Sequence, residues 1–255
     1  MLCLVLGIVL GVVVALYAFF ELHYFLRMCL CVIAARFVKK RIYILETTVV
    51  TGLCLTNDID TLLYHMNNAR YLREIDFARV DFYERTHLYR TIRAKGGSVV
   101  QGATTIRYRR FIRPFTRFRI SSKIVYWDKQ SIFMEHRFLG CQDGFVHCIA
   151  LCRQRVIECS VEDVMATLLK NTACATTTSS TECLERLENG GTALSMTPIP
   201  SPIVSVGASG NGGGNGNGNG GDRDYVNKLK PELPLEIAKW LEWNEMSSAT
   251  LRSEC

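Results

Sequence analysis

A chain of 255 residues with 48% hydrophobic content and a formal charge of +6 can fold one sizeable domain with appendages. Its eleven cysteines are odd in number and several fall in or beside strand-like runs, which argues against a small disulfide-stapled scaffold and fits reduced thiols. The positive surplus comes with no recognition motif, which argues against nucleic acid as a partner, and no His/Cys/carboxylate spacing makes a metal site or implies a cofactor.

Met1 to Phe20 carry no charged side chain. About twenty helical residues at roughly 1.5 Å each cross a hydrocarbon core of about 30 Å, so residues 1–41 are expected to form an uncleaved membrane anchor with a basic flank. Arg27, Arg36, Lys39, Lys40 and Arg41 follow the span and only the α-amino group precedes it, which places the rest of the chain in the cytosol, with the endoplasmic reticulum as the membrane. Those charges are expected near anionic headgroups, making membrane lipid a partner. A cleaved signal peptide, and hence secretion, is the alternative; it lacks a basic region ahead of the apolar stretch and a clean small-residue site after it. No Asn-x-Ser/Thr sequon occurs. Cys29 and Cys31 fit either acylation or an amphipathic stretch.

Residues 42–170 are a dense mixture of apolar, β-branched and charged side chains. Ile42 to Leu55, rich in Ile, Val and Thr, predicts a strand. Asp58-Ile-Asp60 follows on a loop that runs into a helix from Asn68 to about Tyr89, with Tyr71, Ile75, Ala78 and Phe82 along one stripe. A carboxylate just ahead of a helix sits beside unpaired N–H groups and the positive end of the dipole, which is what hydrolysis of an acyl ester or thioester needs. Capping is the alternative role for Asp58 and Asp60. His65 can orient this loop or transfer a proton, Asn67 and Asn68 fix the helix entrance through side-chain bonds to backbone, and Tyr71 belongs to the core.

Ser98 to Ile112, Thr116 to Trp127, Ser131 to Leu139 and Phe145 to Ile157 alternate in polarity, separated by Pro114, Asp128-Lys129-Gln130 and Cys141-Gln-Asp-Gly144. One long helix followed by an antiparallel sheet is an α+β arrangement, most economically a curved sheet packed around the helix. Arg107, Arg109 and Arg113 alternate with Ile106, Tyr108 and Ile112, as the solvated face of a half-buried strand requires; a phosphate-binding or membrane-facing patch is the functional alternative. Residues 171–229, first Thr/Ser-rich and then almost all Gly and Asn, read as a flexible linker. Residues 230–255 hold an amphipathic helix with Ile237, Trp240 and Leu241 on one face, docking on the core through Trp240.

His65-Met-Asn-Asn-Ala-Arg-Tyr-Leu-Arg-Glu74, Asp76-Phe-Ala-Arg-Val80, Asp143-Gly-Phe145 and Glu232-Leu-Pro234 with Asn244-Glu245 carry a resemblance. In these segments and in element order, the chain resembles the 4-hydroxybenzoyl-CoA and acyl-ACP thioesterase branch of the hotdog family, and most of all its membrane-anchored animal members. The match covers anchor, core and terminal helix, leaving out the Gly/Asn tract. It implies a hotdog fold, a homodimer with sites built across the interface, and hydrolysis of acyl-CoA thioesters. It further implies Asp60 as base or nucleophile, with His65, Asn67 and the N–H groups around His65 to Asn67 completing the catalytic machinery. Asp58, Met66, Asn68, Tyr71, Arg107 and Arg109 are then the candidate substrate-binding residues, the arginines through the nucleotide of coenzyme A. One departure is visible: many relatives place the His four residues after the Asp, whereas Asp60 and His65 are five apart, so the loop bulges or the carboxylate is displaced. The alternative function is a hotdog scaffold without turnover that binds acyl lipids or protein partners.

Overall fold

The computed structural model describes residues 1–20, 22–60, 62, 64–170 and 229–254. The expected linker lies almost entirely outside them. The chain opens with α1 (Leu2–Phe20) and α2 (Leu22–Ile33), the latter running into a π-helical turn at Ala34–Val38. Among the described residues no single helix is long and apolar enough to cross a membrane; Leu2–Tyr17 and Leu22–Val38 pass that test only together, as a pair bent by 82°. The straight span expected over Met1–Phe20 is corrected accordingly.

The second arm of the pair is docked on the protein. Arg27 makes a two-pronged ion pair with Glu74 and lies 4.0 Å from the Phe77 ring centroid, Arg36 pairs with Glu84 at 3.1 Å, and Lys39 pairs with Asp81. Tyr24 packs on Phe77 with centroids 5.3 Å apart. Three of the basic residues expected at lipid headgroups are therefore held against carboxylates of the long helix.

After the bend comes a turn closed by Glu46 N–H donating to Tyr43 O, which delays β1 to Thr48–Leu53 rather than Ile42. Then follow a 3-10 turn (Thr56–Asp58), the short strands β2 (Ile59–Asp60) and β3 (His65–Met66), α3 (Asn68–Thr86), α4 (Leu88–Ala94), and the long strands β4 (Ser98–Tyr108), β5 (Arg117–Trp127), β6 (Ser131–Gly140) and β7 (Val146–Ile157). The long strands and β1 form one antiparallel sheet in the order β1-β5-β6-β7-β4. Tyr71, Ile75, Ala78 and Phe82 are all buried, so the apolar stripe of α3 is the face that packs against the sheet. His87, left-handed at φ 62°, separates α3 from α4, a break that the helical pattern to Tyr89 did not reveal. The β5–β6 turn is built by Asp128, whose Oδ1 accepts from Gln130 N at 2.7 Å and Ser131 N at 2.6 Å.

Residues 161–170 are also helical and bury Val161, Val164, Met165, Leu168 and Leu169 in a cluster with Phe82, Trp127 and Ile132. The final helix, α5 (Leu235–Glu254 in sequence, after the 161–170 helix), buries Ile237 and sets Trp240 edge-on to Phe133 at 6.2 Å.

Two features of the sheet have measurable consequences. Gly52 faces Phe118 across β1 and β5, and a Cβ there would lie 2.4 Å from the Phe118 ring. Gly52→Ala is expected to lower unfolding stability by about 1–3 kcal/mol, read from denaturant titration. His136, fully buried beneath α3, meets Ser122 Oγ at 2.7 Å, and burial, reinforced by Arg79, lowers its pKa from 6.5 to about 3. The unfolded chain therefore binds a proton that the native His136 refuses. This contribution to stability is complete above pH 6.5 and is lost as the pH falls toward 3. His136→Gln, which cannot titrate, is expected to flatten the acid limb of the stability curve relative to the wild type.

Candidate functional site

The hairpin of β2 and β3 answers the spacing question. Asp60 pairs directly with His65, and Ile59 with Met66, so the extra residue is taken up in the connecting loop. Tyr64 closes that loop in the left-handed region at φ 49°, its N–H donating to Asp60 O at 3.0 Å. Directly opposed residues of an antiparallel pair carry their Cβ atoms on the same face about 4.5–5.5 Å apart, so the two side chains leave the hairpin on the same side. Asp60 is half-buried, and its Oδ1 accepts from Leu62 N at 2.9 Å; its second oxygen has no hydrogen-bond partner among the described residues.

His65 is buried, with Nδ1 2.8 Å from Met66 O. A carbonyl only accepts, so Nδ1 carries the proton and Nε2 presents a lone pair. That Nε2 is buried and has no hydrogen-bond partner among the described residues. The ring is stacked on Phe111 at 4.3 Å and 4° between planes, which fixes its orientation.

The helix entrance is capped by Asn67, whose Oδ1 accepts from Ala69 N at 2.9 Å and whose carbonyl accepts from Arg70 N. Two of the N–H groups expected to cradle an oxyanion are already used: Met66 N donates to Ile112 O and Asn67 N to Asp58 O, both at 2.8 Å. The first N–H of α3, that of Asn68, has no acceptor among the described residues. It is the available donor at the positive end of the helix. Tyr108 Oη donates to Asn68 O at 3.1 Å and packs edge-on against Tyr71, pinning the end of β4 to the start of α3. A cavity of about 380 Å³ opens beside this first turn, lined by Asn57, Ile59, Asn67, Ala69, Arg70 and Arg73.

The remaining sequence candidates separate. Asp58 is a structural cap, buried, with Oδ2 accepting from Leu55 N at 2.9 Å and Oδ1 3.9 Å from Arg70 Nε. Met66 and Tyr71 are fully packed in the core with Ile75, Ile112 and Phe138. Arg107 and Arg109 are exposed; Arg107 alternates with Tyr108, which faces α3, and so lies on the other face of β4, while Arg109 follows the end of the strand and stacks on Phe145. Cys148 and Cys152 are buried, and burial pushes the Cys148 thiol up to about 12, so these thiols pack rather than react. Among the described residues no group of His, Cys, Asp and Glu is placed to hold a metal ion. Tyr108, Phe111 and Ile112 escaped sequence reasoning because they reach the site from some forty residues away in the chain.

A family model described as the thioesterase-like superfamily matches residues 54–201, a span that starts just before this hairpin. This chain belongs to that superfamily. It is 42% identical to protein THEM6 of Drosophila melanogaster over 156 residues, covering 61% of this chain and 81% of the relative. It is 41% identical to protein THEM6 of Danio rerio over 155 residues (61% and 76%), and 29% identical to protein THEM6 of Xenopus laevis over 251 residues (98% and 94%). Solved structures similar to it include a probable thioesterase from Escherichia coli, 24% identical with TM-score 0.41 over 43% of this chain and 82% of that one. A gentisyl-coenzyme A thioesterase is 15% identical with TM-score 0.42, over 48% and 98%. Superfamily membership brings the hotdog architecture, in agreement with the antiparallel sheet on α3, and supports a function of thioesterase type.

Proposed function

We propose that this superfamily member hydrolyses acyl-CoA thioesters at the start of α3. The observation that carries the reading is the register of Asp60 with His65 beside the unused Asn68 N–H. In the simplest course, the Asp60 carboxylate takes a proton from water as the oxygen attacks the thioester carbonyl. The negative charge that develops on the carbonyl oxygen is met by the Asn68 N–H and the helix dipole. Collapse of the tetrahedral intermediate breaks the C–S bond, and the proton held by Asp60 passes to the departing sulfur, leaving a fatty acid and the free thiol. His65, stacked on Phe111 and bonded to Met66 O, holds the hairpin that carries Asp60. Attack by Asp60 itself, through an acyl anhydride that water then cleaves, has the same balance.

The reading extends to assembly and placement. β4 is a sheet edge of eleven residues, and pairing it with the same strand of a second copy would protect it and join the two sheets into one. The uncharged Leu2–Tyr17 stretch would then rest in a membrane, with the enzyme domain on the cytosolic face of the endoplasmic reticulum. Protease added to intact microsomes is expected to cleave the domain without detergent.

A non-catalytic acyl-binding scaffold is the second reading, and the observation that favours it is the bond from Leu62 N to Asp60 Oδ1, which ties down half of the carboxylate. The full chain supplied with short, medium and long acyl-CoAs, with release of free thiol as the readout, decides. Saturable hydrolysis of at least one is expected; binding without hydrolysis establishes the scaffold instead.

A further inference from the structure

The connection between β4 and β5 is oddly built for a solvated loop. Phe111 and Phe115 are 65% and 69% exposed, and Phe115 is held left-handed at φ 59°, a conformation that costs a bulky residue free energy. The same holds across the site, where Tyr64, 72% exposed, is left-handed beside Leu62, exposed at the hairpin tip. The two tips are tied together by the stacking of His65 on Phe111 and by Met66 N donating to Ile112 O. Apolar side chains are thus presented outward from a braced platform rather than folded away.

The surround is cationic. Phe111 and Phe115 line one open depression of about 720 Å³ together with Arg110, Arg113 and Arg117. Among the described residues only Arg110 of these has an acidic partner, Asp143 at 2.5 Å, and Arg109 stands nearby at 5.3 Å from the Phe145 ring. Aromatic and aliphatic tips flanked by unpaired arginines match the boundary of a bilayer, where rings enter the headgroup layer and guanidiniums meet phosphates. Direction agrees as well. Tyr17, at the end of the apolar Leu2–Tyr17 stretch, lines a cavity with Asn57 and Asp58, so the apolar segment meets the body next to the base of this same hairpin.

The geometry points to a second membrane attachment: Leu62 and Tyr64 of the hairpin tip and the 111–117 loop rest on an anionic phospholipid surface, seating the entrance of α3 at the bilayer from which acyl substrates are drawn. This rests on the anchored-enzyme reading for its orientation, and its test separates the two.

The full-length protein is mixed with phosphatidylcholine vesicles, with or without phosphatidylserine, and examined by flotation and by hydrogen exchange over residues 59–66 and 109–117. Flotation with neutral vesicles reports the anchor alone. Protection of both segments only when phosphatidylserine is present, reversed by high salt, is the expected result. Each arginine near an anionic surface contributes about a fivefold to tenfold preference, so Arg113→Glu with Phe115→Ser, both exposed positions, is expected to remove the protection while leaving flotation with neutral vesicles unchanged. Equal exchange in both vesicles overturns the proposal. So does protection that appears in neutral vesicles and fades on dilution, which marks an interface between copies, or protection produced by coenzyme A without lipid, which marks a nucleotide site. Flotation with anionic vesicles but not neutral ones would retain this surface and sink the anchor.

Discussion

Arg27→Met, made in the full chain, is expected to cost about 2–4 kcal/mol of unfolding stability, a large part of the roughly 5–15 kcal/mol that an ordinary domain possesses. Burial sets the size of the effect. The Glu74 side chain is 4% exposed and receives both terminal nitrogens of Arg27, which also covers the Phe77 ring. Removing the cation while the helix above stays in place leaves a carboxylate out of water beside a methionine. Breaking such a pair costs more than forming it gains, and the partial exposure of Arg27 keeps the figure toward the lower end of the usual range. Arg27→Met combined with Glu74→Met replaces the pair by apolar volume and is expected to recover most of the loss. Denaturant unfolding of the wild type, the two single variants and the double variant measures the coupling; single variants within about 0.5 kcal/mol of the wild type would show that α2 is not docked in this way. Lys39 and Asp81, the latter fully buried, repeat the arrangement two turns further along. A domain cut at residue 42 loses both cations at once and uncovers Phe77, so α2 and the domain are expected to behave as one folding unit.

That docking marks the limit of what sequence could show. The stripe of Tyr71, Ile75, Ala78 and Phe82 announced α3 and its buried face because helical periodicity is local, and Asp128 announced its turn because its side chain bonds the residues that follow it. Arg27, Arg36 and Lys39 looked like a lipid-facing flank because their partners Glu74, Glu84 and Asp81 lie more than forty residues away. The helix at residues 161–170 was missed although Val161, Val164, Met165 and Leu168 are spaced for it, since the strand signal of β7 runs close to its start. At the site, Asn67 as cap was legible, being a bond across two residues. The use of the Met66 and Asn67 N–H groups by Ile112 and Asp58 was not, because it arises from tertiary pairing; it leaves the Asn68 N–H without an acceptor among the described residues.

Asp60→Asn is expected to lower kcat/KM for acyl-CoA hydrolysis by about two to four orders of magnitude, the range typical of a positioned general base. The substitution is a sharp one because the structural duty of Asp60 survives it. An amide Oδ1 still accepts from Leu62 N, so the hairpin, its register with His65 and the melting temperature are expected to stay as they are. What disappears is the negative charge and the ability to take up a proton. If the bond to Leu62 were the whole function of Asp60, activity would be retained, and the carboxylate would be a loop residue as Asp58 is. Asp58 cannot substitute for it: both its oxygens are committed, to Leu55 N and toward Arg70, and its carbonyl holds Asn67 in place as the cap. Asp58→Asn is therefore expected to act on stability, and Asp60→Asn on rate. A variant pair that reversed this pattern would move the chemistry away from the hairpin altogether.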